Sequence, residues 1–131
     1  MIILDTHVLI WLLSNPEKLS KKAEAEINKS IATKDIGLST ISIWEICMLA
    51  KKNRLKLTMD LLSWIDKIEE LPFLRFIPVD NKIAIKSVQL NDKLHQDPAD
   101  RIIIATSLIS GARLITSDRK IRQYKGVVTV W

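Results

Sequence analysis

Ile2-Ile3-Leu4-Asp5-Thr6 sets three apolar residues directly against a carboxylate and a hydroxyl. An unbroken apolar run of this kind fits a strand buried on both faces, as in a parallel sheet. Thr6 then caps a helix whose body is His7-Val8-Leu9-Ile10-Trp11-Leu12-Leu13. Asp5 is thereby placed at the carboxyl end of a strand and beside a helix N-terminus. Open α/β sheets bind their ligands at that edge. An acid in this position also suits the helix dipole alone, and the stretch by itself leaves both readings open.

The same strand-then-helix grammar recurs downstream. Ser14-Asn15-Pro16 breaks the first helix, and Ser20 caps a second that runs through Lys22, Ala23 and Ile27 to about Ile31. Ile36-Gly37-Leu38-Ser39 reads as a second strand. The apolar helix Ser39 to Ala50 follows and ends in Lys51-Lys52-Asn53-Arg54, cations that suit a helix C-terminus. Ser42 and Glu45 match a capping box in that helix. Leu61, Leu62, Trp64, Ile65 and Ile68 carry helical spacing. Arg75 to Val79 is a third strand, with Pro78 near its end. A helix is expected from Asn81 to about Leu94, with Ile83, Ile85, Val88 and Leu90 among its apolar positions. Asp97-Pro98 is a helix start, a cap followed by proline in the first turn, and Gly111 is that helix's stop. Ala112 to Thr116 forms a fourth strand, Arg119 to Tyr124 a short basic helix, and Val127 to Val130 a last strand. Alternation of this kind implies right-handed crossovers. The expected architecture is one α/β domain over residues 1–131, a mainly parallel sheet of about five strands with helices on both faces.

Composition narrows the class. Hydrophobic residues make up 47% and charged residues 27% of the 131, which fits a single packed domain and excludes a disordered chain. The one cysteine, Cys47, excludes an internal disulfide and points to a reducing compartment. No leader peptide is visible, since Asp5 and His7 interrupt the first apolar run. No apolar run reaches the ~18 residues of a membrane span. A cytoplasmic location is therefore expected, with no membrane partner. Twenty basic residues against 15 acidic ones leave a formal charge of +5, a balance that suits a polyanion such as nucleic acid.

Four acids carry the chemistry. Asp5 and Asp118 each follow an apolar strand, while Glu45 and Asp100 lie in the first turns of helices. Each alone is explained by capping, but a parallel sheet would bring all four to one edge. Like charges ~4 Å apart repel by ~4 kcal/mol at an effective dielectric of 20. Such a cluster needs a cation, or some of its members must hold protons. Oxygen donors call for Mg²⁺ or Mn²⁺, and no Cys/His set has zinc spacing. A site of this kind suits phosphodiester hydrolysis.

Asp5-Thr6, Ser42-Ile43-Trp44-Glu45, Asp97-Pro98-Ala99-Asp100-Arg101 and Thr116-Ser117-Asp118 together resemble the PIN domain, most closely its VapC-type toxin branch. The order and spacing of these motifs are kept over nearly the whole chain. The resemblance implies a Rossmann-like α/β/α sandwich and a Mg²⁺- or Mn²⁺-dependent endoribonuclease. It implies catalytic roles for Asp5, Glu45, Asp100 and Asp118, with Asp5, Asp100 and Asp118 as the metal ligands. Thr6 and Ser117 fall where family hydroxyls support the acids, and Asp97 is a cap, a further supporting acid or a ligand, with the cap favoured. The resemblance also implies an RNA substrate, a homodimer and a cognate VapB-type antitoxin whose tail lies across the acidic cleft.

The remaining candidates divide. His7 and His95 are read as structural histidines, and Trp11, Trp44 and Trp64 as core, with one of them lining an antitoxin groove as the alternative. Arg119 and Lys120, next to Asp118, are candidates for holding RNA phosphates. Two other functions compete with the nuclease: a phosphatase or receiver using Asp5 as nucleophile, and a PIN-like domain that binds RNA without cutting it. The first lacks a second acid at position 7, which is His, and a lysine after the final strand.

Overall fold

The computed structural model describes residues 1–131. In chain order the elements are β1 (Ile2–Leu4), α1 (Thr6–Ser14), a single 3-10 turn (Pro16–Lys18), α2 (Lys21–Ala32), β2 (Ile36–Ser39), α3 (Thr40–Lys51), α4 (Leu61–Glu69), β3 (Leu74–Ile77), α5 (Asn81–Gln89), α6 (Pro98–Ser110), β4 (Arg113–Ile115), α7 (Arg119–Gln123) and β5 (Thr129–Val130). The five strands form one sheet in the order β3-β2-β1-β4-β5, and every pairing is parallel. No helix is long and apolar enough to cross a membrane.

β1 is central because its residues serve both faces. Ile2 and Leu4 point into one core with Ile36, Leu38, Ile46 and Ile68, while Ile3 points into the other with Ile103, Ile104 and Leu114. Period-two alternation thus feeds two apolar layers, and all three residues are at most 1% exposed. Each contributes roughly 1.5–3 kcal/mol by burial. Gly37 of β2 is held small by its neighbours. A Cβ there would lie 2.7 Å from the Cδ1 atoms of both Ile3 and Ile77.

Chain order reverses around β1. β2 and β3 build outward on one side, while β4 and β5 lie on the other. The carboxyl ends of β1 and β4 therefore flank the switch point, where α/β sheets open a crevice. Asp5 directly follows β1, and Asp118 lies three residues beyond β4.

Several local expectations are corrected. Asp5, not Thr6, is the N-cap of α1, with its Oδ1 accepting from the Thr6 amide at 2.8 Å. α3 starts at Thr40 under a Ser39 cap, so Ser42 and Glu45 form no capping box. α5 stops at Gln89 instead of reaching Leu94, since Leu90 turns to extended backbone, and Arg101 donates to the carbonyls left at that end. Ile85 and Val88 are 58% and 79% exposed. Ile83, Ser87 and Leu90, spaced by four and three, form the buried face, and positions 85 and 88 fall on the opposite side of the helix. Trp44 is 56% exposed for the same reason, since α3 buries Ser42 and Ile46. Trp64 is core, and Trp11 packs against the core beside Trp131. The last strand is two residues long, not four.

Candidate metal centre at the sheet edge

Asp5 is fixed by three bonds at the end of β1. Its amide continues the ladder to the Ile115 carbonyl at 3.0 Å. Its two carboxylate oxygens accept separately, Oδ1 from the Thr6 amide and Oδ2 from Thr116 Oγ1 at 2.6 Å. The Thr116 hydroxyl in turn accepts from the Asp118 amide at 3.1 Å, so a single oxygen ties the ends of β1 and β4 together. Asp118 caps α7, its Oδ1 accepting from the Ile121 amide at 3.1 Å. Glu45 reaches the site from α3. Thr6 Oγ1 donates to its Oε1 at 2.5 Å and also lies 2.9 Å from Ser42 Oγ. Asp97 caps α6 by accepting from the Asp100 amide at 3.0 Å, which presents Asp100 in the first turn.

Electrostatics show that these acids share one space. Burial pushes the Asp5 carboxyl up, opposed by the bonds from Thr116 and Thr6 and reinforced by Asp118. Burial likewise raises Glu45, against the Thr6 bond and with the charges of Asp5 and Asp97. Asp100 is pushed up to about 8, first by burial and then by the negative charges of Asp5, Asp97, Glu45 and Asp118. A carboxyl surrounded by four others holds its proton near neutrality unless a positive charge enters. Hard oxygen donors around an excess of negative charge fit a divalent cation. Asp100 and Asp118 are joined by His95, the donor atoms of the three lying within 4.8 Å of one another.

All four acids named from the sequence thus meet at one edge. The supporting hydroxyls are less as expected. Thr6 bonds Glu45, but Ser117 makes no side-chain hydrogen bond, and its neighbour Thr116 holds Asp5 instead. Asp97 is the cap. The two basic candidates separate: Lys120 lines a cavity of about 870 Å³ with Lys93, His95, Tyr124 and Lys125, while Arg119 lines a neighbouring one with Lys22, Arg122 and Trp131. His7 is exposed.

Arg101 had no assigned role in the sequence. It is 6% exposed and donates to backbone carbonyls alone: Nε to Ser87 at 3.1 Å, Nη2 to Leu90 at 2.8 Å, and Nη1 to Leu94 and His95 at 3.1 and 3.4 Å. A guanidinium at the C-terminal end of α5 satisfies carbonyls that have no partner within the helix. It also pins the segment that carries His95. Only its place beside Asp100 in the sequence hinted at this.

A parallel sheet with acids gathered at its switch point defines an α/β protein of the kind that binds its ligand at the carboxyl edge of the strands. The family model of the PIN domain matches residues 2–127, and the chain belongs to that family. It is 33% identical over 132 residues to ribonuclease VapC22 of Mycobacterium tuberculosis (strain ATCC 25618 / H37Rv), covering 99% of this chain and 98% of that protein. Among solved structures, a chain of DNA-bound VapBC from Salmonella typhimurium superposes with a TM-score of 0.73 at 19% identity, covering 98% of this chain and 95% of that one. A chain of FitAcB from Neisseria gonorrhoeae gives 0.67 at 22% identity, covering 98% and 96%. These two likenesses establish the fold.

Proposed function

We propose that this chain is a metal-dependent endoribonuclease, the toxin of a toxin–antitoxin pair. The observation that carries the reading is the gathering of Asp100 and Asp118 with His95, their donor atoms within 4.8 Å of one another, beside Asp5 and Glu45, whose negative charges raise the Asp100 carboxyl further after burial. Acids crowded in this way favour a bound cation, which relieves their mutual repulsion. The full-length similarity to a protein named as a ribonuclease supplies the chemistry.

Asp5, Asp100 and Asp118 are the ligands we assign to Mg²⁺ or Mn²⁺. The chemistry supplied by such an ion when bound is a more acidic water and a counter-charge for the phosphate oxygens. Glu45, oriented by Thr6 and raised by burial, is suited to accept a proton from the attacking water. The N-termini of α1 and α6 open toward the site and favour an anionic substrate. Lys93, Lys120 and Lys125 extend positive charge away from the acids along the adjoining cavity, which supports an RNA path there. Asp5 as a phosphoryl acceptor fits poorly, since position 7 is His where a second acid would help and no lysine follows the final strand.

Trp44, exposed one residue from Glu45, offers an aromatic anchor beside the cleft for a VapB-type antitoxin segment. A homodimer and a cytoplasmic location complete the reading.

The test is cleavage of RNA by the purified chain with Mg²⁺ or Mn²⁺ and with chelator. Asp5→Asn and Asp100→Asn are expected to abolish cleavage and to keep the fold. Full activity in either variant, or undiminished activity in chelator, rejects the proposal.

A further inference from the structure

His95 Nε2 is a buried nitrogen without a hydrogen-bond partner. It lies 3.3 Å from Asp100 Oδ2, close enough for an ion pair but without hydrogen-bond geometry. A buried polar atom without a hydrogen bond costs free energy, so Nε2 has an open bonding position beside the Asp100 carboxylate. The donor atoms of His95, Asp100 and Asp118 all fall within 4.8 Å of one another. Donors held at ~2.1 Å from an octahedral ion are ~3 Å apart when adjacent and ~4.2 Å apart when opposed. The observed spacing meets that requirement with only small adjustment.

The ring is also held in place from below. Leu94 is 3% exposed. Arg101 grips the carbonyls of Leu94 and His95 while it caps the end of α5. The segment before α6 therefore presents its imidazole from a fixed backbone, as a ligand position demands.

We propose that His95 Nε2 is a direct nitrogen ligand of the cation, completing with Asp100 and Asp118 a mixed nitrogen–oxygen site that favours Mn²⁺ over Mg²⁺. Mg²⁺ is a hard ion that keeps water and carboxylate oxygens. Transition ions accept imidazole more readily, and affinity rises from Mn²⁺ along the series. The inference rests on the metal-dependent reading above and adds to it a donor that the acids alone do not provide.

Pulsed electron paramagnetic resonance on the full chain loaded with less than one equivalent of Mn²⁺ tests the assignment. The wild type is expected to show nitrogen modulation from a coordinated imidazole. His95→Gln should remove it, and His7→Gln should leave it intact. His95→Gln should also weaken Mn²⁺ binding about tenfold, at the lower end for a lost orienting or ligating group, and Mg²⁺ binding much less. Bound Mn²⁺ without nitrogen modulation in the wild type, or with modulation that survives in His95→Gln, overturns the nitrogen ligand and leaves the nuclease reading standing. An absence of any Mn²⁺ signal sensitive to Asp100→Asn overturns both.

Discussion

Thr116 Oγ1 donates a 2.6 Å hydrogen bond to Asp5 Oδ2 across 111 residues of sequence. The same oxygen accepts from the Asp118 amide, so one hydroxyl sets the spacing of two acids that lie just beyond neighbouring strands. Removing it leaves a buried carboxylate oxygen and an amide unsatisfied. Thr116→Val should cost about 1–3 kcal/mol of stability and weaken cation binding about tenfold. Thr116→Ser keeps the hydroxyl and should restore both. Equal metal affinity for Thr116→Val and wild type, by calorimetric titration, would show that the hydroxyl does not organise the site.

Asp100 makes stability depend on pH in an unusual direction. Its carboxyl is raised from 3.8 to about 8 in the folded state. Below 3.8 both folded and unfolded forms hold the proton, and its contribution is fully present. Between 3.8 and about 8 only the folded form holds it, so that contribution is lost as pH rises. Asp5 and Glu45 are raised too and act in the same sense. In chelator, the melting temperature should therefore fall from pH 5 to pH 8, and Asp100→Asn should flatten the slope. Mn²⁺ at pH 7 should displace the proton, raise the melting temperature and bind more tightly at higher pH. A melting temperature that climbs across this range without metal would contradict the crowding of acids.

Asp5, Asp100 and Asp118 are legible in the sequence because each stands at a strand end or helix start, and parallel topology gathers such positions on one edge; Glu45 lies in the second turn of α3 and reaches the site from within the helix. Ile2-Ile3-Leu4 announced its two-sided burial in the same way. What escaped were contacts between side chains distant in sequence. Ser117 and Thr116 are adjacent hydroxyls, and only the course of the chain just past β4, where the Thr116 amide still bonds the Val130 carbonyl, decides which one faces Asp5. Trp44 looked like core because its helix is apolar almost all round, which leaves its buried side undefined. α5 ends five residues short of the sequence expectation, and the donor for the carbonyls left there, Arg101, lies on the next helix, where spacing does not reveal it. His95 reads as a structural histidine in the sequence because its neighbours, Asp100 and Asp118, come to it only through the fold.

The lysine-lined cavity beside His95 makes a prediction about salt. If RNA phosphates lie along it, each lysine removed should flatten the dependence of log affinity on log salt by ~0.7. Lys93→Ala, Lys120→Ala and Lys125→Ala should each do so for a single-stranded RNA bound to the Asp100→Asn protein. Arg119→Ala, which alters the neighbouring cavity, should change the slope less. An unchanged slope in all three lysine variants would place the RNA elsewhere.

Arg101 offers the sharpest separation of stability from chemistry. Its guanidinium touches no acid and donates only to carbonyls of Ser87, Leu90, Leu94 and His95. Arg101→Met preserves much of the buried stem but leaves those carbonyls without donors. The expected loss is about 2–4 kcal/mol, from bonds to a charged group and the desolvated acceptors left behind. Because Arg101 also anchors the His95 backbone, hydrogen exchange should accelerate over residues 90–96 and remain unchanged in β1 and β4. RNA cleavage by the fraction still folded should fall through weaker metal binding and recover at high Mn²⁺. Loss that excess Mn²⁺ cannot relieve, with protection at residues 90–96 intact, would mean that Arg101 acts on the reaction directly.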